Sequence, residues 1–371
     1  MSNVPVWAEE RSAPLPGLRG SIAADVCVVG LGGSGLACVR ELVAAGRDVV
    51  ALDAQGVAAG AAGRNGGFLL GGLAMFHHDA VRRLGRAAAA AIYEETLNEI
   101  DRMAGETPDA IRRTGTLRIA ASADELTDCR EQMAAMRGDG LPVELYDGPQ
   151  GHGLLFPRDA AFDPVQRCRA LADRCLDAGA RLFERSPVVA IGGGCVRTNE
   201  GEVRAPHVVV AVDGGLEVVL PELAPRVRTA RLQMVATEPA PEVQWQHPVY
   251  SRWGLDYWQQ LPDSRIVVGG CRDVGGDAEW TAEPVPTDAV QSALTHTLRA
   301  RLRITAPVTH RWAATVAYTE TGLPVVEEVR PGVWAIGAYS GTGNVIGALC
   351  GRAVAEQITR GGCRLLDLLR A

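Results

Sequence analysis

The chain contains 371 residues, of which 47% are hydrophobic, so it can bury a large core, and its length favours two domains. Its net charge of -7 comes without a long basic run, which argues against nucleic acid or an anionic membrane and favours a small molecule as the main partner. The sequence shows neither a signal peptide nor a membrane-spanning segment, so we expect a cytoplasmic protein.

The basic and sulfur-containing residues narrow the available chemistry. All 37 basic residues are arginines, so no lysine can act as a Schiff-base nucleophile, a general base or an anion-binding point charge. The nine cysteines include no C-x-x-C pair, and no metal site is predicted. Several cysteines fall at apolar positions of predicted strands and helices, and we interpret these as reduced core residues: Cys27, Cys38, Cys168 and Cys175.

Residues 25–53 contain, in order, the parts of a dinucleotide-binding βαβ unit. The apolar run Val26–Val29 suits a buried parallel strand, and the pattern Gly30-x-Gly32-x-x-Gly35 follows it directly and opens a helix. Gly30 permits a tight turn, Gly32 lets the backbone approach a pyrophosphate, and Gly35 lets the helix pack close to the strand.

The rest of this unit would bind the phosphates and a ribose. Its helix starts at Gly33 and Ser34 and ends at Gly46, so the N–H groups of its first turn and its dipole would face the pyrophosphate. A second apolar strand over Val49–Leu52 leads to Asp53, whose carboxylate would hold a pair of ribose hydroxyls. The sequence therefore predicts a dinucleotide cofactor and an enzyme that depends on it. The alternative is a glycine-rich turn in some other α/β protein.

A glycine-rich stretch follows the βαβ unit. Residues 60–72 contain too much glycine for a helix, and we interpret them as a loop that passes close to the cofactor. The pattern after this loop indicates a second domain that is inserted early in the chain. Its predicted elements are a helical region at 76–105, a strand at 115–121, a helix at 124–136 and a strand at 143–146.

The second half of the chain returns to the dinucleotide-binding domain, leaves it and returns again. The predicted elements are a helix at 164–179, strands at 188–191 and 207–212, strand-like runs at 231–237, 255–261 and 265–270, a strand at 333–336 and a helix at about 344–359. The run at 207–212 is almost continuously apolar, which is typical of a central strand. Residues 337–343 would present the N-terminus of the last helix to the cofactor.

Four separated segments resemble those of the flavin amine oxidases of the D-amino-acid oxidase superfamily, closest to γ-glutamylputrescine oxidase-like proteins and beside glycine oxidase and sarcosine oxidase. The segments are DVCVVGLGGSGLA at 25–37, AAGRNGGF at 61–68, ARLQMVATEP at 230–239 with GLDYWQQLPDSRIVVGG at 254–270, and GAYSGTGNVIG at 337–347. The resemblance covers nearly the whole chain, and it implies an FAD-dependent oxidoreductase.

The resemblance also implies an architecture of the α/β class. A Rossmann-like FAD-binding domain would be combined with a discontinuous α+β substrate domain, as in glutathione reductase-type and D-amino-acid oxidase-like folds. The FAD-binding domain would comprise residues 20–76, 152–225 and 314–371, and the substrate domain would comprise residues 77–151 and 226–313.

The residues that match the family's cofactor site fall into three sets. The ADP half of FAD would contact Gly30, Gly32, Gly35 and Asp53, with Val188 and Val189 near the adenine. The isoalloxazine would lie alongside Arg64, Asn65, Gly66 and Gly67, and its pyrimidine end would face Gly341, Thr342, Gly343 and Asn344. A helix N-terminus at that end would stabilise the negative charge of a reduced flavin. The alternative for Arg64 is a structural arginine that caps its loop.

The sequence also departs from the family's pattern. Sarcosine oxidase-like members carry a cysteine that bonds covalently to the flavin, but the corresponding residues 311–324 contain none, so we expect non-covalent FAD. Those relatives use one lysine to hold a substrate carboxylate, where this chain has Val345, and another lysine to assist oxygen. A small carboxylate-bearing amine is therefore less favoured, and the electron acceptor is either oxygen or another oxidant.

The implied reaction moves a hydride from the carbon next to an amine nitrogen onto the flavin and leaves an imine that water hydrolyses. The substrate, an amine or amino acid, would bind in an apolar pocket that excludes water. Candidates for the catalytic site are the pocket-wall residues Tyr257 and Trp258, then His77 with its neighbour His78, and the carboxylate-binding candidates Arg252 and Arg272. The alternatives are core packing for the two aromatic residues, solvation for the histidines and a surface position for the arginines.

Two other functions are compatible with the sequence. The first is an FAD-dependent 2-hydroxy acid dehydrogenase that passes electrons to a non-oxygen acceptor such as a quinone, because the missing lysines leave this open. The second is a flavin-binding subunit or regulator without turnover, which the intact flavin loops disfavour.

Overall fold

The structure, a computed structural model, describes residues 3–8 and 13–370 of the chain. These residues form two compact units, which we name by their largest sheets. The eight-stranded unit comprises residues 3–8, 64–163 and 230–315, and the six-stranded unit comprises residues 13–63, 164–229 and 316–370. Residues 64–76 and 152–163, which the sequence assigned to the FAD-binding domain, cluster in the eight-stranded unit. Ala371, the end of that predicted domain, lies outside the described residues.

The described chain contains both strands and helices. The strands are β1 (Gly20–Ala23), β2 (Val26–Val29), β3 (Val49–Leu52), β4 (Phe68–Leu69), β5 (Ile111–Arg112), β6 (Thr116–Ile119), β7 (Glu144–Gly148), β8 (Gly151–Phe156), β9 (Ala160–Phe162), β10 (Arg181–Phe183), β11 (Val188–Gly192), β12 (Cys195–Thr198), β13 (Gly201–Arg204), β14 (His207–Val210), β15 (Arg228–Pro239), β16 (Val249–Ser251), β17 (Asp256–Gln260), β18 (Arg265–Gly269), β19 (Val308–Tyr318), β20 (Val325–Arg330) and β21 (Val333–Gly337). The helices are α1 (Gly33–Ala44), α2 (His77–Leu84), α3 (Arg86–Glu106), α4 (Ala123–Gly138), α5 (Pro164–Asp177), α6 (Leu216–Val219), α7 (Arg272–Gly275), α8 (Asp288–His296), α9 (Gly343–Arg360) and α10 (Arg364–Arg370).

Most of the predicted elements are present. Strands β2 and β3 have the predicted bounds, and α1 ends before Gly46 as expected. The helical region predicted at 76–105 is confirmed, and it is divided into α2 and α3. Gly85 separates the two helices with a φ of 81°, a conformation that glycine adopts readily and that ends α2.

The six-stranded sheet has the order β10-β3-β2-β14-β21-β20. Its neighbouring strands pair parallel except β20, which runs antiparallel to β21. The predicted central position of β14 is confirmed. All four residues of β2 and of β3 are buried, because α1 covers one face of the sheet and a second core covers the other. That second core includes Val196 and Val203 of a four-stranded sheet with the order β1-β13-β12-β11.

The eight-stranded sheet has the order β19-β15-β18-β17-β16-β6-β8-β7. Strand β16 pairs parallel with β6, whereas β15, β18, β17 and β16 pair antiparallel in turn. A small sheet with the order β4-β9-β5 completes the strands of this unit. Alternate residues of β17 face different cores, since Trp258 packs with Val290 and Leu294 of α8 while Tyr257 packs with Phe68 and Trp312.

The positions of the cysteines bear out an expectation from the sequence. All nine cysteines lie in the described residues and none forms a disulfide. The predicted core positions are confirmed, because Cys27, Cys38, Cys168 and Cys175 are all buried. None of the helices in the described part of the chain has both the length and the apolar character needed to cross a bilayer.

Glycine allows α1 to pack closely against its neighbours in the six-stranded unit. A Cβ atom on Gly35 would lie 2.0 Å from the carbonyl oxygen of Gly30, as the predicted helix–strand contact requires. A Cβ atom on Gly351 of α9 would lie 2.2 Å from the carbonyl oxygen of Ser34. Any side chain at either position would therefore push α1 away from β2 or from α9.

The substitution Gly351→Ala tests this helix contact. We expect it to lower the free energy of unfolding by about 1–3 kcal/mol, because the methyl group overlaps a rigid backbone carbonyl. Urea unfolding followed by circular dichroism would measure the change. Gly105→Ala in α3 is the matched control, since no atom lies within 4 Å of the Cβ position there, and it should be neutral or stabilising by up to about 1 kcal/mol. Equal effects of the two substitutions would contradict the packing argument.

Candidate functional site

The glycine-rich turn after β2 places the first turn of α1 at the carboxyl end of the six-stranded sheet. Gly30 has a φ of 111°, and a Cβ atom there would lie 2.4 Å from the carbonyl oxygen of Ala211. Gly32 is the N-cap of α1, so Gly33 and Ser34 open the helix without a capping side chain. The N–H groups of this turn therefore have the arrangement that binds a phosphate in dinucleotide-binding folds.

Asp53 lies beside this turn at the end of β3. Its Oδ2 accepts the N–H of Leu31 at 3.0 Å, and its Oδ1 accepts those of Gln55 at 2.8 Å and Gly56 at 2.9 Å. Burial raises the pKa of Asp53, although these three N–H groups act to lower it. Asp53, which the sequence predicts to bind the ribose, thus also stabilises the glycine turn, because Leu31 lies between the first two glycines of the motif.

The second predicted helix N-terminus, that of α9, follows a strained turn. Ala338 and Ser340 both have a φ of 53°, a left-handed conformation that is uncommon for residues other than glycine. Gly341 has a φ of 92°, and Thr342 is the N-cap, with its hydroxyl donating to the Tyr339 carbonyl at 3.1 Å. Gly343 and Asn344 then open α9, which is the predicted order of elements.

Asp213 holds this strained turn, and the sequence analysis did not identify it. Its Oδ1 accepts the N–H of Tyr339 at 3.2 Å, and its carboxylate also accepts the N–H groups of Ala317 and Ala338. Burial raises the pKa of Asp213 to about 7, and the charge of Glu217 adds to the rise, although the three N–H groups act against it. The signal in the sequence is an acid just after a buried parallel strand, where ligand sites of such sheets lie.

The pH dependence of stability should report on Asp213. Its pKa is near 3.9 in an unfolded chain and about 7 in the folded chain, so its stabilising contribution is complete below about pH 4 and is lost as the pH rises through about 7. Asp213→Asn removes this titration. The variant should lose less stability between pH 5 and pH 8 than the wild type, by about 1 kcal/mol or more.

Urea unfolding at the two pH values measures this difference. The control is Asp109→Asn, which changes an exposed aspartate in the eight-stranded unit and should keep the wild-type pH dependence. A wild-type pH dependence in Asp213→Asn would show that the carboxyl does not titrate in this range.

Val188 and Val189, the candidates for adenine contact, lie on β11 in the four-stranded sheet. Val188 packs against the core of the six-stranded unit, whereas 60% of Val189 is exposed. The adenine contact stays a prediction for both residues.

In the eight-stranded unit, distant segments fix the loop at residues 64–67. The Trp312 indole N–H donates to the carbonyl of Arg64 at 2.9 Å, and Gln259 Nε2 donates to the carbonyls of Gly66 and of Gly67. Within the loop, Asn65 Oδ1 accepts the N–H of Gly67 at 2.8 Å. The loop therefore has one defined backbone path despite its glycine content.

Arg64 has the contacts of a structural arginine. Its Nη1 donates to the carbonyl of Ala313 at 2.8 Å and to Asn3 Oδ1 at 3.0 Å. Burial lowers the pKa of the guanidinium. These bonds tie the loop to residues outside it, which is a structural role, and the contact of Arg64 with a flavin stays a prediction.

Tyr257 contacts the same loop, whereas Trp258 points to the other face of the sheet. A Cβ atom on Gly66 would lie 3.1 Å from the Tyr257 ring, and Tyr257 joins Phe68 and Tyr250 in an aromatic cluster with ring centroids 5.1 to 6.0 Å apart. Trp258 packs in the core under α8, with the Arg301 guanidinium 4.9 Å from its ring centroid. Core packing thus accounts for Trp258, while Tyr257 remains the candidate for a pocket wall.

The two histidines are buried, so the expectation of solvated histidines at a helix start is wrong. His77 is 2% exposed and its Nε2 lies 2.7 Å from Asp139 Oδ2. His78 is 9% exposed, and its ligand atoms lie within 4.8 Å of those of Asp128 and Glu131. An arginine supplies a positive charge at this cluster, because Arg82 Nη1 lies 3.9 Å from Glu131. The catalytic role of His77 stays a prediction.

Arg252 and Arg272 have partners in the eight-stranded unit. Arg252 Nη1 lies 3.2 Å from each oxygen of Asp256, and its Nη2 donates to Asp273. The Arg272 guanidinium lies 4.6 Å from the ring centroid of Trp280. Binding of a substrate carboxylate stays a prediction for both arginines.

Comparison with known proteins decides the family. Residues 25–357 match the profile of the family DAO, described as FAD dependent oxidoreductase. The chain belongs to this family. The sequence-based recognition, the α/β fold class and the FAD dependence are therefore confirmed, and the glycine turn, Asp53 and the two helix N-termini of the six-stranded unit suit an anionic dinucleotide of this kind.

Two curated relatives of this DAO-family chain match over most of their length. The probable oxidoreductase OrdL of Rhizobium meliloti (strain 1021) is 28% identical, with 96% of this chain and 87% of the relative covered. The gamma-glutamylputrescine oxidoreductase of Escherichia coli (strain K12) is 27% identical, with 96% of this chain and 88% of the relative covered.

Solved structures of similar fold include two enzymes of amino acids. The L-proline dehydrogenase from P. horikoshii superposes with a TM-score of 0.76 at 20% identity, with 95% of this chain and 96% of that chain covered. The glycine oxidase from Geobacillus kaustophilus superposes with a TM-score of 0.74 at 20% identity, with 91% and 95% covered. At this identity the likeness shows the DAO-family fold alone.

Proposed function

We propose that this protein oxidises the CH–NH bond of an amine or amino acid to an imine, which water then hydrolyses. The observation that carries this proposal is the match of 96% of the chain to a gamma-glutamylputrescine oxidoreductase at 27% identity. The fold, which is shared with a glycine oxidase and an L-proline dehydrogenase, is consistent with it. The alternative of a 2-hydroxy acid dehydrogenase draws no support from these relatives.

The six-stranded unit supplies the groups for the ADP half of the cofactor. The N–H groups at Gly32, Gly33 and Ser34 would bind the pyrophosphate, with Gly30 and Gly35 allowing the turn and the close helix packing. Asp53 would hold the ribose, as its position at the end of β3 suits a dinucleotide. The exposed Val189 and its neighbour Val188 would lie near the adenine.

The groups around the isoalloxazine would set its charge and exclude water. FAD supplies the hydride acceptor when it is bound. The turn at Gly341, Thr342, Gly343 and Asn344 would place the positive end of the α9 dipole at the pyrimidine ring, an effect worth about 0.3 to 2 kcal/mol for a nearby negative charge. We also propose that the loop of Arg64, Asn65, Gly66 and Gly67 contacts the isoalloxazine.

The residues beside this loop favour an apolar substrate site. Tyr257, Tyr250 and Phe68 form one aromatic cluster that contacts Gly66. Such a surface excludes water and favours the unprotonated amine, which is the form that can lose a hydride from the adjacent carbon. No lysine is available to bind a substrate carboxylate, so we propose an amine with little need for carboxylate recognition.

No lysine is available to assist oxygen either, so the proposed electron acceptor is either oxygen or another oxidant. The cytoplasmic location also stays a prediction.

An anaerobic titration tests the substrate class. Polyamines, N-methyl amines, amino acids and 2-hydroxy acids would be added separately to the purified holoenzyme while the flavin absorbance near its visible maximum is recorded. We expect an amine or amino acid to bleach the flavin, because hydride transfer reduces it. Bleaching by a hydroxy acid alone would overturn the proposal in favour of the dehydrogenase, and dithionite provides the control for full reduction.

The mode of flavin attachment has its own test. Residues 311–324, where covalent relatives carry a cysteine, contain none, and eight of the nine cysteines are buried. We therefore expect acid precipitation to release all of the flavin into the supernatant. Flavin that stays with the precipitated protein after washing would show a covalent bond and contradict the proposed non-covalent binding.

A further inference from the structure

The segment at residues 3–8 contacts the loop at residues 64–67 through Asn3. Asn3 Oδ1 accepts Arg64 Nη1 and the N–H of Ala313, each at 3.0 Å, and its backbone carbonyl accepts Arg64 Nη2 at 2.9 Å. Its Nδ2 donates to the carbonyl of Pro284. Asn3 thus joins the loop's arginine to Ala313 of β19, and these three residues lie in the eight-stranded unit.

Trp7 provides a second contact with the same loop. Its indole Nε1 donates to the carbonyl of Asn65 at 2.9 Å, and its ring atom Cη2 lies 3.1 Å from the Cβ position of Gly67. Val6, the preceding residue, is 7% exposed and packs in the core that also contains Phe68. The segment is therefore anchored in the core on one side and bonded to the loop on the other.

These contacts complete a series along the loop backbone. Three successive carbonyl groups each accept a side-chain donor from a different segment: Arg64 from Trp312, Asn65 from Trp7 and Gly66 from Gln259. A peptide unit is planar, so a donor that fixes its carbonyl also fixes the direction of the N–H on the other side of the bond. Trp7 therefore determines the orientation of the peptide between Asn65 and Gly66.

We propose that residues 3–8 form a positioning strap, in which Trp7 and Asn3 set the backbone orientation of the loop that contacts the flavin ring. The inference rests on the proposed function, which places residues 64–67 beside the isoalloxazine. Both strap residues would act through the loop, so they are positioning residues. The N–H groups of the loop would act on the ring as fixed dipoles, and the strap would tune the affinity and the potential of the bound flavin.

The substitution Trp7→Phe in the holoenzyme tests the strap, because it keeps an aromatic ring and removes the N–H donor. We expect the dissociation constant of FAD to rise about three- to tenfold, as the loss of one such hydrogen bond allows, and the midpoint potential of the bound FAD to shift in a dye-coupled titration. The matched control is Trp253→Phe. Trp253 is 50% exposed and donates its indole N–H to Asp128 at 2.6 Å, so its loss should change neither quantity.

Asn3 gives an independent test with a built-in rescue, which applies even if Trp7→Phe does not fold. Asn3→Ala removes the side-chain oxygen that accepts Arg64 Nη1 and the N–H of Ala313, and it should weaken FAD binding and shift the potential. Asn3→Asp restores a carboxylate oxygen for Arg64 and Ala313 and should return both values towards the wild type. The inference would be overturned if Trp7→Phe or Asn3→Ala kept the wild-type unfolding midpoint and changed neither the dissociation constant nor the midpoint potential of FAD.

Asn65→Ala separates this inference from the proposed function, because it changes the loop itself. If Asn65→Ala leaves the affinity and potential of FAD unchanged, the loop does not contact the flavin, and the proposed function of residues 64–67 fails together with the strap. If Asn65→Ala alters them and the strap variants do not, the strap alone is rejected.

Discussion

The six-stranded unit depends on the contact between a glycine and a backbone carbonyl. Gly35 brings α1 so close to the turn after β2 that a Cβ atom would lie 2.0 Å from the oxygen of Gly30, and Gly351 does the same for α9 against Ser34. Because both helices follow parallel strands of one sheet, their N-termini open at its carboxyl edge. Both helices thus present their positive ends at one edge of the sheet, where these ends suit a dinucleotide with a charged pyrophosphate and a flavin that becomes anionic on reduction.

Short sequence patterns predicted this part of the fold, whereas a strand that depends on pairing with distant residues was not predicted. Strands β2 and β3 and helix α1 are marked by short apolar runs and by glycines at fixed spacing, so their bounds followed from the sequence. Strand β19 was not predicted, because His310, Arg311 and three alanines interrupt its β-branched and aromatic residues. Its pairing in the eight-stranded sheet stabilises the strand.

The candidate site likewise contains residues that the sequence could predict and residues that it could not. Glycine turns carry their function in the backbone, so a motif can reveal them. The side chains that hold those turns cannot be found in this way, because Gln259 lies 193 residues from Gly66 and Asp213 lies 126 residues from Tyr339. Their chemistry is ordinary, and only the fold brings them to the turn. Alternation along β17 is the one local rule that would have separated Tyr257 from Trp258.

In each unit, side chains from elsewhere in the chain hold a turn, but the chemical groups differ. A glycine-rich or strained turn has a large conformational entropy to lose and few side chains of its own with which to offset that loss. In the six-stranded unit the Asp213 carboxylate accepts the N–H groups of Ala338 and Tyr339 in the turn before α9, and in the eight-stranded unit indole and amide donors bind successive carbonyls. The geometry of each turn thus depends on residues that lie far from it in the sequence, so substitutions of those residues would change the turn while its own sequence stays intact.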